Sequence, residues 1–289
     1  MKNIRAAGKK TNGFVTLSRV ICYIVLALLT VLCLFSFYFL LVNASRPHSE
    51  IMSEFSMVPG GYLFKNLANL FADQNIPMLR GLLNSLFIAA CTAALTTYFS
   101  AMTAYGIFAY NFKFKKTAFT FIMLIMMVPT QVSALGFLQL VTKMGMMDTF
   151  YPLILPSVAA PIVFYYMKSY MESVLPLEIV EAARMDGSNE FSTFNRIVLP
   201  VIKPALAVQA IFAFVNSWNN YFMPSLIINT NTNKTIPILI YQLRSADYMK
   251  FDLGQVYIMI FVAIIPLLIV YIFLSKFIIK GLTLGSVKG

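Results

Sequence analysis

Six long, uncharged runs of mostly apolar residues dominate this 289-residue chain. A hydrocarbon core about 30 Å thick requires about 20 apolar residues in helical form, and each run approaches or exceeds that length. The runs lie at 20–42, 82–109, 117–140, 149–167, 204–229 and 254–275. They lack the alternating pattern of a membrane barrel. Helices satisfy their own backbone hydrogen bonds and are therefore the expected spans.

The composition supports the same class. Hydrophobic residues make up 59% of the chain and charged residues only 11%, whereas a soluble domain carries roughly a quarter charged residues. We therefore predict an all-α integral membrane protein. Basic residues precede the first run, as in a signal peptide, but the run is too long and lacks a small-residue cleavage site. It predicts a retained helix.

Basic residues concentrate on one side of the predicted spans. Fifteen of the 22 Lys and Arg residues lie in the two tails and two of the connections: Lys2, Arg5, Lys9, Lys10, Arg19, Lys113, Lys115, Lys116, Lys168, Arg184, Arg196, Lys203, Lys276, Lys280 and Lys288. The positive-inside rule then places both termini in the cytoplasm. Anionic lipid headgroups explain the net charge of +11, and no nucleic-acid partner is expected.

Several functional classes lack the residues that they need. An intramembrane enzyme requires a nucleophile with a base, or a metal constellation, but the single histidine, His48, lies outside the spans and the three cysteines form no metal-binding cluster. An ion-coupled secondary transporter is the weaker alternative, because the predicted spans contain no Asp, Glu or His. The segment Gly8-Lys9-Lys10-Thr11 departs from a phosphate loop at two positions. ATP, if used, must be hydrolysed on another chain.

A charged interruption at 168–203 separates the fourth and fifth runs. Pro176 suits the first turn of a helix and Glu178 suits its positive end. Gly187 suits the left-handed residue that ends a helix. Ser188 can cap a second helix, which Leu199-Pro200 is expected to end. The sequence predicts two short helices at an angle on the cytoplasmic face.

The first of these helices carries residues suited to contact another protein. Ala182 and Ala183 are small enough to allow a close approach, and Glu181, Arg184 and Asp186 can form charge-assisted hydrogen bonds. The alternative is a solvated linker, which would need neither the paired alanines nor the glycine. A second hydrophilic segment, 230–253, is polar and turn-rich, and we expect it to reach away from the membrane.

At these residues the chain resembles the EAA loop of binding-protein-dependent ABC importer permeases. The pattern is Glu181-Ala182-Ala183, three residues, Gly187, nine residues, Ile197, one residue and Leu199-Pro200. Other segments resemble the MalG-type permeases of carbohydrate uptake systems. These are Asn84-Ser85, Met127-Val128-Pro129, Gln131, Asp148-Thr149, Leu153-Ile154-Leu155-Pro156, Asn216-Ser217-Trp218-Asn219 and the end of the chain from Gly281 to Gly289.

The resemblance implies the ABC type I importer permease fold, also called MetI-like, with six transmembrane helices, both termini inside and cytoplasmic coupling helices. It implies three parts: residues 1–80 with the first helix and an extracellular segment, a core permease domain at 81–280 and a cytoplasmic tail at 281–289. The tail would reach between the ATPase subunits. Part of 230–252 would enter the binding protein's sugar cleft.

The resemblance also implies partners. These are a second, MalF-like permease, two ATPase subunits that bind ATP and Mg, and an extracellular sugar-binding protein, in a prokaryotic cytoplasmic membrane. The EAA loop would sit in a groove of the ATPase, with Glu181 paired to a basic residue there. This chain itself is expected to bind no cofactor or metal.

Polar and aromatic residues inside the spans are candidates for a substrate path: Gln131, Asn216, Trp218, Asn219 and Asn220. The alternative is interhelical hydrogen bonding, which is common for amides in membranes. Asn220 stands where many members of the resembled family carry an acid, so a role for that acid is not expected here. The resemblance implies a carbohydrate substrate, a di- or oligosaccharide, and leaves glycerol phosphate, an amino acid or a modified sugar as alternatives.

Overall fold

The structure, a computed structural model, describes the backbone at residues 13–245 and 252–285 and the side chains at 17–245 and 252–275. Every regular element in these ranges is helical, which confirms the all-α prediction. The helices are α1 (Gly13–Ala44), α2 (His48–Ser53), α3 (Leu63–Ala72), α4 (Met78–Ala109), α5 (Lys115–Ile125), α6 (Thr130–Lys143), α7 (Tyr151–Ile154), α8 (Pro161–Val174), α9 (Leu177–Met185), α10 (Glu190–Thr193), α11 (Leu199–Val201), α12 (Lys203–Trp218), α13 (Phe222–Ile227), α14 (Ile236–Arg244) and α15 (Leu253–Gly285).

The chain divides into two compact units. One combines the residues before Ala68 with Asp252–Phe261, and the other contains the remaining residues. In the first unit, Arg46 is only 3% exposed. It donates hydrogen bonds to the carbonyl oxygens of Glu50 and Glu54 and forms ion pairs with both carboxylates. Asn66 donates to the carbonyl oxygens of Ala44 and Arg46, so side chains fasten the end of α1.

In the second unit, α8 and α12 pack against α4. Small side chains on α4 are buried at these contacts: Ala89, Ala93, Ser100, Ala101 and Ala104. Two α4 hydroxyls also satisfy backbone carbonyls near the break between α7 and α8. Thr96 donates to the Ser157 carbonyl at 3.0 Å, and Ser100 donates to the Ala160 carbonyl at 3.4 Å. Irregular backbone is tolerated in a membrane only where protein or water satisfies it in this way.

The number of spanning helices differs from the sequence prediction. Among the residues that the structure describes, three helices are long and apolar enough to cross a membrane, at Leu17–Ala44, Met78–Ala109 and Leu253–Ser275, and each coincides with a predicted span. Two more spans result if bent pairs are counted as one: α5 with α6, bent by 95°, and Glu190–Val201 with α12, bent by 84°. The run at 149–167 is interrupted by a 3₁₀ turn before Pro161. Three to five candidates are thus found, and six spans with both termini inside remain a prediction.

The segment at 230–245 does not reach away as expected. Residues 236–244 form α14, whose side chains Ile236, Ile238, Leu239 and Leu243 are buried, because its apolar face packs against α4. Asn84 donates to the carbonyl oxygens of Thr232 and Lys234, and Ser85 accepts the Ile236 amide at 2.8 Å. Residues 246–251 lie outside the described part of the chain.

Asp148 also fixes the start of this segment by hydrogen bonds. Its carboxylate accepts the backbone amides of Asn229 and Thr230, at 2.9 and 3.0 Å, and the Thr230 hydroxyl at 2.6 Å. Its own φ is 60°, a left-handed conformation that Asp tolerates better than most residues. The Thr230 side-chain hydrogen bond, together with the backbone ones, lowers the pKa of Asp148.

We predict that Asp148→Ala lowers the free energy of unfolding by about 1–2 kcal/mol at pH 7, because it removes an ionised acceptor from two backbone amides. Asp148→Asn should cost less. Since the folded pKa is lowered, the ionised carboxylate stabilises the fold above about pH 4, and this contribution is lost as the pH falls further. Thermal unfolding of the wild type and Asp148→Asn in detergent should therefore differ at pH 6 and converge towards pH 3. A constant difference would contradict the prediction.

Candidate functional site

The EAA-like segment forms a helical hairpin with a fixed turn. α9 ends in a Schellman motif, in which the Ser188 amide donates to the Ala183 carbonyl and the Gly187 amide donates to the Arg184 carbonyl, both at 3.0 Å. Gly187 has φ of +79°, which confirms the predicted left-handed position. These hydrogen bonds fix the turn that orients the two helices of the hairpin.

The two faces of α9 differ in environment. Val180 and Ala183 are buried, and Val180 belongs to a core cluster that also contains Phe194 and Met171. The opposite face is exposed and carries Glu178, Glu181, Ala182 and Met185. The paired alanines therefore lie on different surfaces of α9. The small side chain of Ala183 allows α9 to pack closely against its own chain, and the small side chain of Ala182 does not project from the exposed face.

The second helix begins and ends differently from the prediction. Asn189, not Ser188, is the N-cap, and its Oδ1 accepts the Ser192 amide at 2.8 Å. The helix also continues through Leu199-Pro200 and turns only at Ile202. A π turn at Phe194–Val198 ends two residues before this proline. Proline removes one i→i−4 hydrogen bond of a regular α-helix. Because the π turn already replaces i→i−4 bonds by wider ones, the helix can continue through Pro200.

An ionic and aromatic cluster ties the hairpin to the end of α4. Arg184 Nε donates to Glu190 Oε1 at 2.7 Å, and Tyr105 donates its hydroxyl to Glu190 Oε2 at 2.8 Å. The Arg184 guanidinium also lies 5.0 Å from the centre of the Tyr110 ring. The hydrogen bond to Glu190 raises the pKa of Arg184. Arg184 is thus engaged within the chain, whereas Glu181 and Asp186 are exposed.

Sequence reasoning missed Glu190 and the two tyrosines. Glu190 lies in the first turn of α10, where an acid is favoured by the helix dipole, and this was the only local signal. The tyrosines lie far away in the sequence, on and just after α4, and become neighbours of Glu190 only through packing.

A cavity of about 760 Å³ lies among α4, α8 and α12. Its polar lining residues are Thr92, Thr96, Tyr166, Gln209, Asn216, Ser217 and Asn220. Two of the predicted path residues, Asn216 and Asn220, therefore line it. Gln131 and Asn219 are exposed elsewhere, and Trp218 is buried with its ring stacked on Phe214 at 5.8 Å. Tyr166 and Gln209 also line the cavity, but they lie in no recognised motif and could not be identified from the sequence.

Comparisons with known proteins agree on one family. Residues 96–283 match the family described as binding-protein-dependent transport system inner membrane component. The chain is 33% identical to the arabinooligosaccharides transport system permease protein AraQ of Bacillus subtilis (strain 168), over 91% of this chain and 93% of that protein. It is 29% identical to the lactose transport system permease protein LacG of Rhizobium radiobacter, over 93% and 96% of the two chains.

The fold also has a close structural counterpart. A crystal structure of a bacterial ABC transporter involved in the import of the acidic polysaccharide alginate aligns with a TM-score of 0.77, over 94% of this chain and 99% of that chain. The two sequences are only 17% identical, so this likeness demonstrates a shared fold.

Gly187→Ala should lower the free energy of unfolding by about 1 kcal/mol, because a left-handed φ is unfavourable for residues with a Cβ. A Cβ built there meets no atom within 4 Å, so the loss is conformational and not steric. Gly136→Ala is the matched control, since that position also has space but no positive φ. Thermal unfolding in detergent measures the stability of each variant relative to the wild type. Equal stability of the two variants would contradict the prediction.

A double-mutant cycle tests the hairpin ion pair. Arg184→Met, Glu190→Gln and the double variant should yield a coupling energy of about 0.5–1 kcal/mol, because both side chains are partly exposed and solvent weakens the pair. The Lys168–Glu172 pair on α8 is a reference for an ordinary i,i+4 ion pair. Equilibrium unfolding in mixed micelles gives the energies. Additive effects of Arg184→Met and Glu190→Gln would show that the pair does not stabilise the hairpin.

Proposed function

This chain belongs to the family of binding-protein-dependent transport system inner membrane components, and we propose that it is one permease subunit of an ATP-driven ABC importer that takes up a di- or oligosaccharide. The ABC importer permease fold supports the transport role. The names of the similar proteins refer to arabinooligosaccharides and lactose, which supports a carbohydrate as the substrate.

The two-faced α9 is the observation that carries this proposal. A helix that transmits force must be anchored on one side and accessible on the other. Val180 and Ala183 provide the anchored side, and Glu181 and Ala182 lie on the accessible one. We infer that α9 is the coupling helix, which sits in a groove of the ATPase subunit. Glu181 pairs there with a basic residue, while Ala182 allows the groove wall to approach.

The turn and the second helix have supporting roles in this proposal. Asp186 and Gly187 form the tip, and the Arg184–Glu190 pair keeps the hairpin rigid. Leu199 packs against the core and Pro200 is exposed just before the bend at Ile202. Displacement of the hairpin would therefore pass into α12 through this bend and into α4 through Tyr105 and Tyr110.

The proposed assembly distributes the chemistry over several chains. This subunit is a non-catalytic, multi-pass component of a prokaryotic cytoplasmic membrane, with both termini in the cytoplasm. A second, MalF-like permease completes the path, two ATPase subunits bind ATP and Mg, and an extracellular binding protein delivers the sugar. In the proposed assembly, the tail at 281–289 contacts the ATPase dimer. Residues 286–289 lie outside the described part of the chain.

Two substitutions on α9, one that reverses a charge and one that enlarges a side chain, test the proposal in proteoliposomes that contain the complete importer. Glu181→Lys and Ala182→Leu should each reduce the ATP hydrolysis stimulated by the sugar-loaded binding protein at least tenfold, because one repels the basic partner and the other obstructs the approach. Glu172→Lys on α8 is the control, because it reverses an exposed acid outside the hairpin.

Two results would refute parts of this function. Normal stimulated hydrolysis in both Glu181→Lys and Ala182→Leu would remove the coupling role of α9. Appreciable ATP hydrolysis by the purified chain alone would overturn the division of labour between the subunits.

A further inference from the structure

A loop at residues 54–62 leaves the end of α1 and returns to it. Arg46 donates a hydrogen bond from Nη1 to the Glu54 carbonyl at 3.2 Å, which fixes the start of the loop. The Gly60 amide donates to Ser45 Oγ, and the Tyr62 amide donates to the Ser45 carbonyl, both at 2.8 Å. Both ends of the loop are therefore fixed to the two residues that follow α1.

The middle of the loop lies against α1 itself. The Tyr38 hydroxyl donates to the Met57 carbonyl, and the Phe55 ring stacks on the Phe39 ring with 5.4 Å between their centres. With a rise of 1.5 Å per residue, Tyr38 lies about 10 Å before Ser45 along the helix axis. The loop thus descends along α1 by roughly this distance and then returns.

This depth corresponds to the edge of the hydrocarbon core. The apolar run of α1 begins near Val20, and about 20 helical residues cross the roughly 30 Å of hydrocarbon. A core that begins near Val20 therefore ends near Phe39. Tyrosine, which occupies the preceding position, is enriched at such boundaries. The lowest part of the loop lies where acyl chains meet headgroups.

The polarity of the loop changes along the same direction. Near its lowest part, Met57, Phe55 and Val58 are 48%, 70% and 72% exposed. Near the end of α1, the side chains of Glu50 and Glu54 are 49% and 70% exposed and form ion pairs with the buried Arg46. Apolar side chains at one level and exposed acids at the next match the gradient across a membrane interface.

A lipid surface is the partner that fits this depth. The α1 side chains of Phe35 and Phe37 are also exposed, so the apolar side of the loop continues the lipid-facing surface of α1. A soluble protein would bind above the headgroups, about 10 Å away along the axis. The Met57 carbonyl is satisfied by Tyr38, and the Val58 amide donates to Ser56 Oγ at 3.0 Å. Such internal partners are what irregular backbone needs near hydrocarbon.

We propose that residues 55–58 form an interfacial anchor, which inserts Phe55 and Val58 among the lipids of the leaflet at the end of α1. Arg46, with its two glutamates, stays on the aqueous side. The anchor fixes the depth of α1, because deeper insertion would dehydrate the acids and withdrawal would expose the apolar side chains to water. This role does not rest on the proposed transport function.

Nitroxide labels on single cysteines test this depth, in the full-length chain in phosphatidylcholine vesicles and in the complete importer in the same lipid. The three native cysteines are first replaced by Ala. Val58→Cys carries the label at the lowest part of the loop. Gly61→Cys is the matched control, because Gly61 lies between the two amides bonded to Ser45 and a Cβ built there meets no atom within 4 Å. Power saturation compares collisions with O₂, which concentrates in hydrocarbon, and with a water-soluble nickel chelate.

The label at Val58→Cys should collide more often with O₂ than with the chelate. It should also lie about 10 Å deeper than the label at Gly61→Cys, in both preparations. Phe55→Cys carries the label instead if Val58→Cys fails to insert, since Phe55 is also exposed at this depth.

Two results would overturn the anchor. Equal access of the chelate to both positions would place the loop in water. Protection from both reagents in the complete importer, together with O₂ access in the chain alone, would show that another subunit and not lipid covers the loop. Neither measurement requires transport, so either failure would leave the importer function standing.

Discussion

The close packing of α8 and α12 against α4 is the interaction on which the second unit depends. Lipid tails are as apolar as the side chains, so burial of apolar area contributes little to helix association in a membrane. Close approach must come from small residues, and α4 supplies Ala89, Ala93, Ala101 and Ala104 at these contacts. The Thr96 and Ser100 hydroxyls can then reach the broken backbone before α8. Two carbonyl groups of the irregular backbone before Pro161 are thus satisfied by α4.

The same helix joins two polar clusters. With 32 residues and a rise of 1.5 Å per residue, α4 is about 48 Å long. Asn84 and Ser85, near its start, hold the segment before α14, while Tyr105 and Tyr110, at its end, contact the hairpin. In each cluster, α4 is joined to residues distant in sequence by side-chain contacts. In the proposed importer, α4 is the rigid member between the hairpin and the opposite end of the subunit.

The sequence could predict elements that depend on local composition. Long apolar runs located α1, α4 and α15, and the requirement for a left-handed residue identified Gly187. It could not predict the 95° bend between α5 and α6, because hydropathy records the polarity of a run and not its direction. The pairing of Arg184 with Glu190 depends on the Schellman geometry, and the role of Trp218 in the core depends on its stacking with Phe214. Those features require tertiary structure, which one sequence does not provide.

The hairpin and the cavity are also connected through α12. The helix starts directly after the bend at Ile202, and by its rise Gln209 lies about 9 Å and Asn216 about 20 Å from that start. A rotation at the bend would therefore displace Asn216 roughly twice as far as Gln209. A movement of the hairpin would thus change the spacing of the amides relative to Thr92 and Tyr166. In the proposed importer, this geometry lets a hinge outside the cavity change the spacing of the groups that line the cavity farther along the same helix.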